Sequence, residues 1–320
     1  MKKFPKIVFI GSNNFSVYSL KELYKQYNNN IIGIITVPDN PIYIGKKSFS
    51  PVKKYALDNN IPFLQPNNLN DPKFFRNFKK WNSDIQIVVS FRILPEKIWN
   101  FPKMGTINLH GSLLPQYKGA APINWAIING ENKTGITIFF IEKKIDSGKI
   151  LLQKKIFINQ KETAGDIENK MIKISGKMLI SAIEKVFNRD IVPISQNDIY
   201  IKDLKKAPKI YTEDCRIKWK NNTIGSIYNK IRGLSPYPTA WTFFIINKNK
   251  YLRFKIFIIE KIEKYHSFKI GKVIITSSKI MIAVKSGLIS IIEGQIEGKK
   301  RMNVKNIING FRIKNNIFVE

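Results

Sequence analysis

Residues 106–122 read TINLHGSLLPQYKGAAP. Asn108 and His110 stand two apart on a short extended segment, Thr106 to Leu109 with its continuation, so their side chains share one face. The segment ends at Gly111, and open α/β sheets bind ligands beyond the carboxyl ends of their strands. An amide beside an imidazole suits acyl chemistry. The amide can donate to an oxygen that is becoming negative, and the imidazole can move a proton. The bland reading also stands: a lone Asn-x-His is more often structural than catalytic.

The elements that must position this pair follow from the hydrophobic pattern. Residues 6–10, 31–37 and 85–89 are continuous apolar, β-branched runs, and a helical pattern fits 15–27. Such runs separated by helices predict a parallel sheet buried on both faces. The runs at 136–141 and 149–157 read as a pair of strands joined by a turn at Asp146-Ser147-Gly148. A long helix is expected over 163–187, with Thr163 as N-cap three residues before Asp166. Gly11-Ser12 reads as a tight strand-to-helix turn, because no G-x-G-x-x-G follows it.

A chain of 320 residues predicts about two domains. The pattern places a catalytic domain at 1–189, a linker at 190–209 closing on Ala207-Pro208, and a second domain at 210–320. There, after a helical stretch at 224–232, short strand-like runs recur at 241–247, 251–259, 272–276, 280–284 and 288–292. That grammar is a small antiparallel barrel, OB-like in kind. The fold class is therefore α/β, Rossmann-like at the N-terminal side, plus a C-terminal β-barrel.

Charge narrows the partner. The net charge is +31, from 54 Lys and Arg against 23 Asp and Glu. Residues 210–320 hold 21 basic and 7 acidic side chains, a denser excess than the rest of the chain carries. A polyanionic partner such as tRNA explains this. So does a genome rich in A and T, since Lys, Ile and Asn dominate throughout. One cysteine excludes a disulfide framework, and two histidines exclude a multi-His centre, so no metal is expected. No apolar run approaches 18 residues, and the start is too short for a signal peptide, so the expected compartment is the cytoplasm, with no membrane association.

The stretch around Asn108 resembles the signature of the 10-formyltetrahydrofolate-dependent formyltransferases, where Asn-x-His is followed by Ser-Leu-Leu-Pro and a downstream Gly. The longer run GSLLPQYKGAAPINWAIINGENKTGITIF and then IDSGKI is similar to the members that act on methionyl-tRNA. The resemblance covers nearly the whole chain: 6–15, the loop 38–53 (PDNPIYIGKKSFSPVK), 88–95 (VVSFRILP), 207–219, 231–241 and 297–302. It implies a catalytic trio of Asn108, His110 and Asp146. Asn108 would hold the oxyanion, His110 would exchange the proton, and Asp146 would orient the ring. It implies that Ser112, Leu113, Leu114 and Pro115, with Arg92, Ile93 and Leu94, form the folate site. The formyl donor would be 10-formyltetrahydrofolate and the acceptor initiator methionyl-tRNA, with no protein partner implied. Tyr43, Lys46 and Lys47 would meet the tRNA acceptor end, and Lys299, Lys300 and Arg301 would meet its phosphates.

Two departures stand out. Many members carry arginines and an extra glycine in the loop where this sequence has Asn40, Tyr43 and Ile44. The folate segment reads F-R-I-L-P where many have Y-G-L-I-L-P. Two other readings remain open at this level: a formyltransferase for a small amine, such as a sugar nucleotide, and a non-catalytic RNA-binding protein.

Overall fold

The computed structural model describes residues 4–41, 47–220, 222–247, 250–310 and 317–320. The chain forms two compact units. The first takes in 1–119, 135–156 and 168–206, and the second 120–134, 157–167 and 207–320. Two stretches inside the span that the sequence assigns to the catalytic domain thus belong to the second unit.

The first unit is built on seven strands: β1 (Ile7–Gly11), β2 (Ile31–Ile35), β3 (Phe63–Leu64), β4 (Ile85–Val89), β5 (Thr106–His110), β6 (Lys133–Phe140) and β7 (Ile150–Phe157). Their order in the sheet is β7-β6-β5-β4-β1-β2-β3. β1 to β5 pair parallel, while β6 runs antiparallel to β5. The sheet is therefore parallel over five strands and turns mixed at one edge, a common variation. Ile7 to Ile10, Ile85, Ile87 and Val89 are buried, as continuous apolar runs require of a sheet covered on both faces.

Strand order reverses between β1 and β4, and the two strand ends are stitched together there. Ser16 Oγ donates to the Val89 carbonyl at 2.6 Å, and Ser12 Oγ donates to the Ser90 carbonyl at 3.1 Å. The helix Asn14–Tyr27 begins directly after β1, capped by Asn13, whose side chain accepts from Ser16 N at 3.0 Å. Gly11 permits this turn, since a Cβ there would lie 2.7 Å from Ser16 Cβ. The long helix is present as Ala164–Phe187. Thr163 N donates to Asp166 Oδ2 at 2.9 Å and Asp166 N donates back to Thr163 Oγ1 at 3.3 Å, a reciprocal cap.

The second unit is a nearly closed antiparallel barrel. Its strands are β8 (Ala240–Asn247), β9 (Lys250–Ile262), β10 (Val273–Ile275), β11 (Ile280–Val284), β12 (Gly287–Ile296), β13 (Met302–Asn303) and β14 (Phe318–Val319). They run in the order β10-β11-β12-β9-β8-β14, with β13 beside β12. Closure comes from β14, which pairs with β8 and also reaches the start of β10. A bridge links Lys272 and Phe318, and Val273 N donates to the Ile317 carbonyl at 2.8 Å. Phe244 and Phe254 stack inside at 4.7 Å between ring centres. The helix Ile224–Leu234 turns Ile227, Ile231 and Leu234 into this core. Its outer flank receives the helix Pro122–Ile128. Asn124 Nδ2 donates to the Gly233 carbonyl at 2.7 Å, and a Cβ at Gly233 would meet Ile128 Cγ1 at 2.7 Å.

Candidate active site

The carboxyl ends of β1, β4 and β5 lie in register, with Gly11 beside Val89 and Val89 beside Leu109. The segments that leave them, at Ser12, at 90–94 and at 111–115, therefore emerge along one edge of the sheet. Asn108 lies in β5 between Val88 of β4 and Phe139 of β6. Its side chain is half-buried, and its amide has no hydrogen-bond partner among the described residues.

His110 ends the strand and is buried. Its Nε2 lies 2.9 Å from the Tyr117 carbonyl oxygen. A carbonyl can only accept, so Nε2 carries the proton and Nδ1 is the nitrogen left to gain or lose one. Nδ1 faces Asp146 Oδ2 at 3.9 Å, too far for a hydrogen bond and near enough for charge. The same Oδ2 accepts from Gly119 N at 2.9 Å. The short segment 117–119 thus touches both His110 and Asp146 through its backbone.

Asp146 sits in the turn between β6 and β7, in the left-handed region at φ +50°. The hairpin folds this turn back towards the end of β5. Lys118 Nζ donates to Ser147 Oγ at 3.0 Å. Burial pushes the Lys118 ammonium below its ordinary value; Lys144 adds to this and Asp146 opposes it.

The loop after His110 is pinned from beneath. Ser112 Oγ donates to the Gln116 carbonyl at 2.6 Å, Leu114 N donates to Thr137 Oγ1 at 3.0 Å, and Thr137 Oγ1 donates to the Ser112 carbonyl at 2.7 Å. Gln153 Nε2 donates to the Leu114 carbonyl at 2.7 Å. Ser112, Leu114 and Pro115 are buried, and Leu114 packs on Phe139 and Ile150. Of the four residues, only Leu113 keeps a partly exposed side chain. The 92–94 segment splits similarly. Leu94 joins the core with Val88 and Ile98, whereas Ile93 is 71% exposed. Arg92 turns its guanidinium onto the Asn67 carbonyl at 2.8 Å and onto the Pro66 carbonyl, and burial lowers its pKa. That makes it a tie between loops.

Part of the loop expected to meet tRNA, 42–46, lies outside the described residues. Tyr43, Ile44 and Lys46 are outside the described residues, and Lys47 opens the strand Lys47–Ser48, paired antiparallel with Asn40–Pro41. The base of the loop is well fixed. Lys53 Nζ meets Asp39 Oδ2 at 2.5 Å beside the Phe49 ring, and Gln65 Nε2 donates to Asp39 Oδ1 at 2.8 Å. In the second unit, Lys299 and Lys300 are exposed in the turn after β12. Arg301 pairs with Glu293 and lies 4.4 Å over the Phe257 ring.

The profile described as "Formyl transferase" matches residues 5–183, and "Formyl transferase, C-terminal domain" matches residues 209–312. The chain belongs to the formyl transferase family. Its relatives include the methionyl-tRNA formyltransferase of Bacteroides thetaiotaomicron, 42% identical over 96% of each chain. That of Azobacteroides pseudotrichonymphae is 45% identical over 95% of each. Among solved structures, the fold is similar to WlaRD, a sugar 3N-formyl transferase, with TM-score 0.64 and 22% identity over 93% of this chain and all of that one. It is also similar to HypX from Aquifex aeolicus, solved in complex with tetrahydrofolic acid. There the TM-score is 0.63 and the identity 16%, over 96% of this chain and 47% of that one.

Several residues of this candidate site carry little sequence signal. Tyr117 and Gly119 act through backbone atoms, so their side chains say nothing of the role. Thr137 and Gln153 lie on neighbouring strands, 25 and 39 residues from the carbonyls they hold. Gln196 falls in the stretch read as linker, yet its amide reaches the Asp146 turn.

Proposed function

We propose that this chain transfers the formyl group of 10-formyltetrahydrofolate to the α-amino group of initiator methionyl-tRNA. The observation that carries the proposal is the meeting of a free amide, an imidazole with one unengaged nitrogen and a carboxylate at the end of β5. The full-length similarity to methionyl-tRNA formyltransferases supports the acceptor, and the tetrahydrofolate bound in a relative of the same fold supports the donor class.

The donor supplies an amide-like formyl carbonyl. The chain's own chemistry surrounds it. Asn108 Nδ2 donates to the carbonyl oxygen as negative charge builds there, and its lack of another partner leaves it ready to do so. His110 Nδ1 accepts the proton that the attacking amine sheds and returns it to the departing nitrogen. Asp146 stabilises the ring while it is charged, and the Gly119 amide keeps that carboxylate in place.

The donor fits the residues present. Exposed Ile93 and half-exposed Leu113 offer apolar surface next to the strand end. The buried neighbours Leu94, Leu114 and Pro115 hold the two loops rigid, so their backbone groups form the edges. Lys299 and Lys300 are the candidate phosphate contacts.

The decisive experiment is transfer of a radiolabelled formyl group from the folate to charged initiator tRNA, charged elongator tRNA and small amines, including amino-sugar nucleotides. The proposal requires strong preference for the initiator. Preference for an amino-sugar nucleotide would overturn it.

A further inference from the structure

We propose that Gln196 is a positioning residue for formyl transfer, acting on Asp146 through the backbone of the 146–148 turn. This rests on the catalytic reading of Asp146 given above. Gln196 is 5% exposed. Its Nε2 donates to the Asp146 carbonyl at 3.0 Å and to the Gly148 carbonyl at 2.8 Å. Both partners are carbonyls, so the NH2 end of the amide must face them. The two N–H groups straddle Ser147 and grip the turn from both sides.

The turn needs such a grip. Asp146 is a non-glycine residue at φ +50°, a conformation that persists only where surrounding contacts hold it. Gln196 is itself firmly based. Ile194 and Ile150 exchange two backbone hydrogen bonds of 2.8 Å, which ties the segment to the first residue of β7, immediately after the turn. Ser195 caps the short 3-10 helix Gln196–Asp198. The Oε1 end is buried with no partner among the described residues. An orphaned buried oxygen is unfavourable, so the side chain's contribution lies in its two donors.

The consequence is geometric. The carboxylate head of Asp146 is held by Gly119 N, its backbone by Gln196, and the ring it faces by Tyr117 O. Removing the Gln196 donors frees one of these three restraints. Displacement of a catalytic group by about 1 Å can cost on the order of 100-fold in rate.

The test compares Gln196→Ala, the isosteric Gln196→Glu and, as a control on the underlying reading, Asp146→Asn. Each is measured with the full chain, charged initiator tRNA and the folate donor. Gln196→Ala is expected to lower kcat at least tenfold, to leave both KM values within twofold and to keep a cooperative melting transition. Ionised, the side chain of Gln196→Glu has only acceptors to turn towards two carbonyls; protonated, it regains a donor. Its rate relative to Gln196→Ala should therefore rise as pH is lowered. If Gln196→Ala keeps kcat within twofold while Asp146→Asn is inactive, the positioning role is wrong and the reading of Asp146 survives. A fully active Asp146→Asn removes both. Matched losses in kcat and KM, with no recovery of Gln196→Glu at low pH, would mark Gln196 as structural and overturn the proposal.

Discussion

His110 is held at one ring nitrogen and open at the other, and that asymmetry sets what its loss should do. His110→Ala should still melt cooperatively, though at a lower temperature, because the ring is buried against Phe139 and the Tyr117 carbonyl loses its donor. Turnover should fall by about 10²–10⁴, the scale for losing a general acid–base group. Formylation kinetics and a circular dichroism melt check both. Asn108→Ala should cost on the order of 10²–10³ in turnover. Its effect on folate affinity, measured by calorimetry, should be small, because the negative oxygen exists only during reaction. A parallel collapse of affinity would make the amide a ground-state contact. This pair was legible because a strand has period two and Asn-x-His puts both groups on one side. Gln196 was not. Its partners are carbonyls 50 and 48 residues earlier in the chain, and no pattern of side chains announces a bond to a backbone oxygen.

The turn between β6 and β7 carries Asp146 of the candidate site and is packed too tightly to change freely. At Gly148 a Cβ would lie 1.8 Å from the Phe140 carbonyl oxygen, so any side chain must push the hairpin ends apart. Gly148→Ala should therefore lower kcat at least tenfold by moving Asp146, and should lower stability by about 1–3 kcal/mol through overpacking. Urea titration separates the second effect from the first. The hairpin was readable from its paired apolar runs and its Asp-Ser-Gly turn, and so were the buried parallel strands. Two further helices, which the apolar pattern did not reveal, carry start signals of their own: Ser50-Pro51 opens Pro51–Asp58 and Asp71-Pro72 opens Pro72–Lys80, each with a cap and a proline in the first turn. What periodicity does not give is the antiparallel direction of β6 against β5 or the membership of 120–134 in the second unit. Both depend on pairings made across long stretches of chain.

At the scale of the whole molecule, charge is the property most open to test. Lys299 and Lys300 stand free in solvent among the described residues, while Arg301 is held by Glu293. If the two lysines neutralise phosphates, tRNA binding should weaken steeply with salt, and changing both to Ala should flatten the log–log slope by up to about two units. Lys79→Ala with Lys80→Ala, on a helix of the first unit, should leave the slope unchanged. Filter binding over a salt series reads both, and equal effects would assign the charge to composition. The helix Pro122–Ile128 has another consequence, one that belongs to synthesis. Asn124 finds its partner Gly233 109 residues later. At about 5–20 residues per second, that helix leaves the ribosome on the order of 5–20 s before the segment that holds Gly233 follows it out. Nascent chains arrested near residue 200 should therefore be cut by protease within 120–134, and released full-length chains should resist. A chaperone that binds exposed apolar segments during translation would find a foothold there.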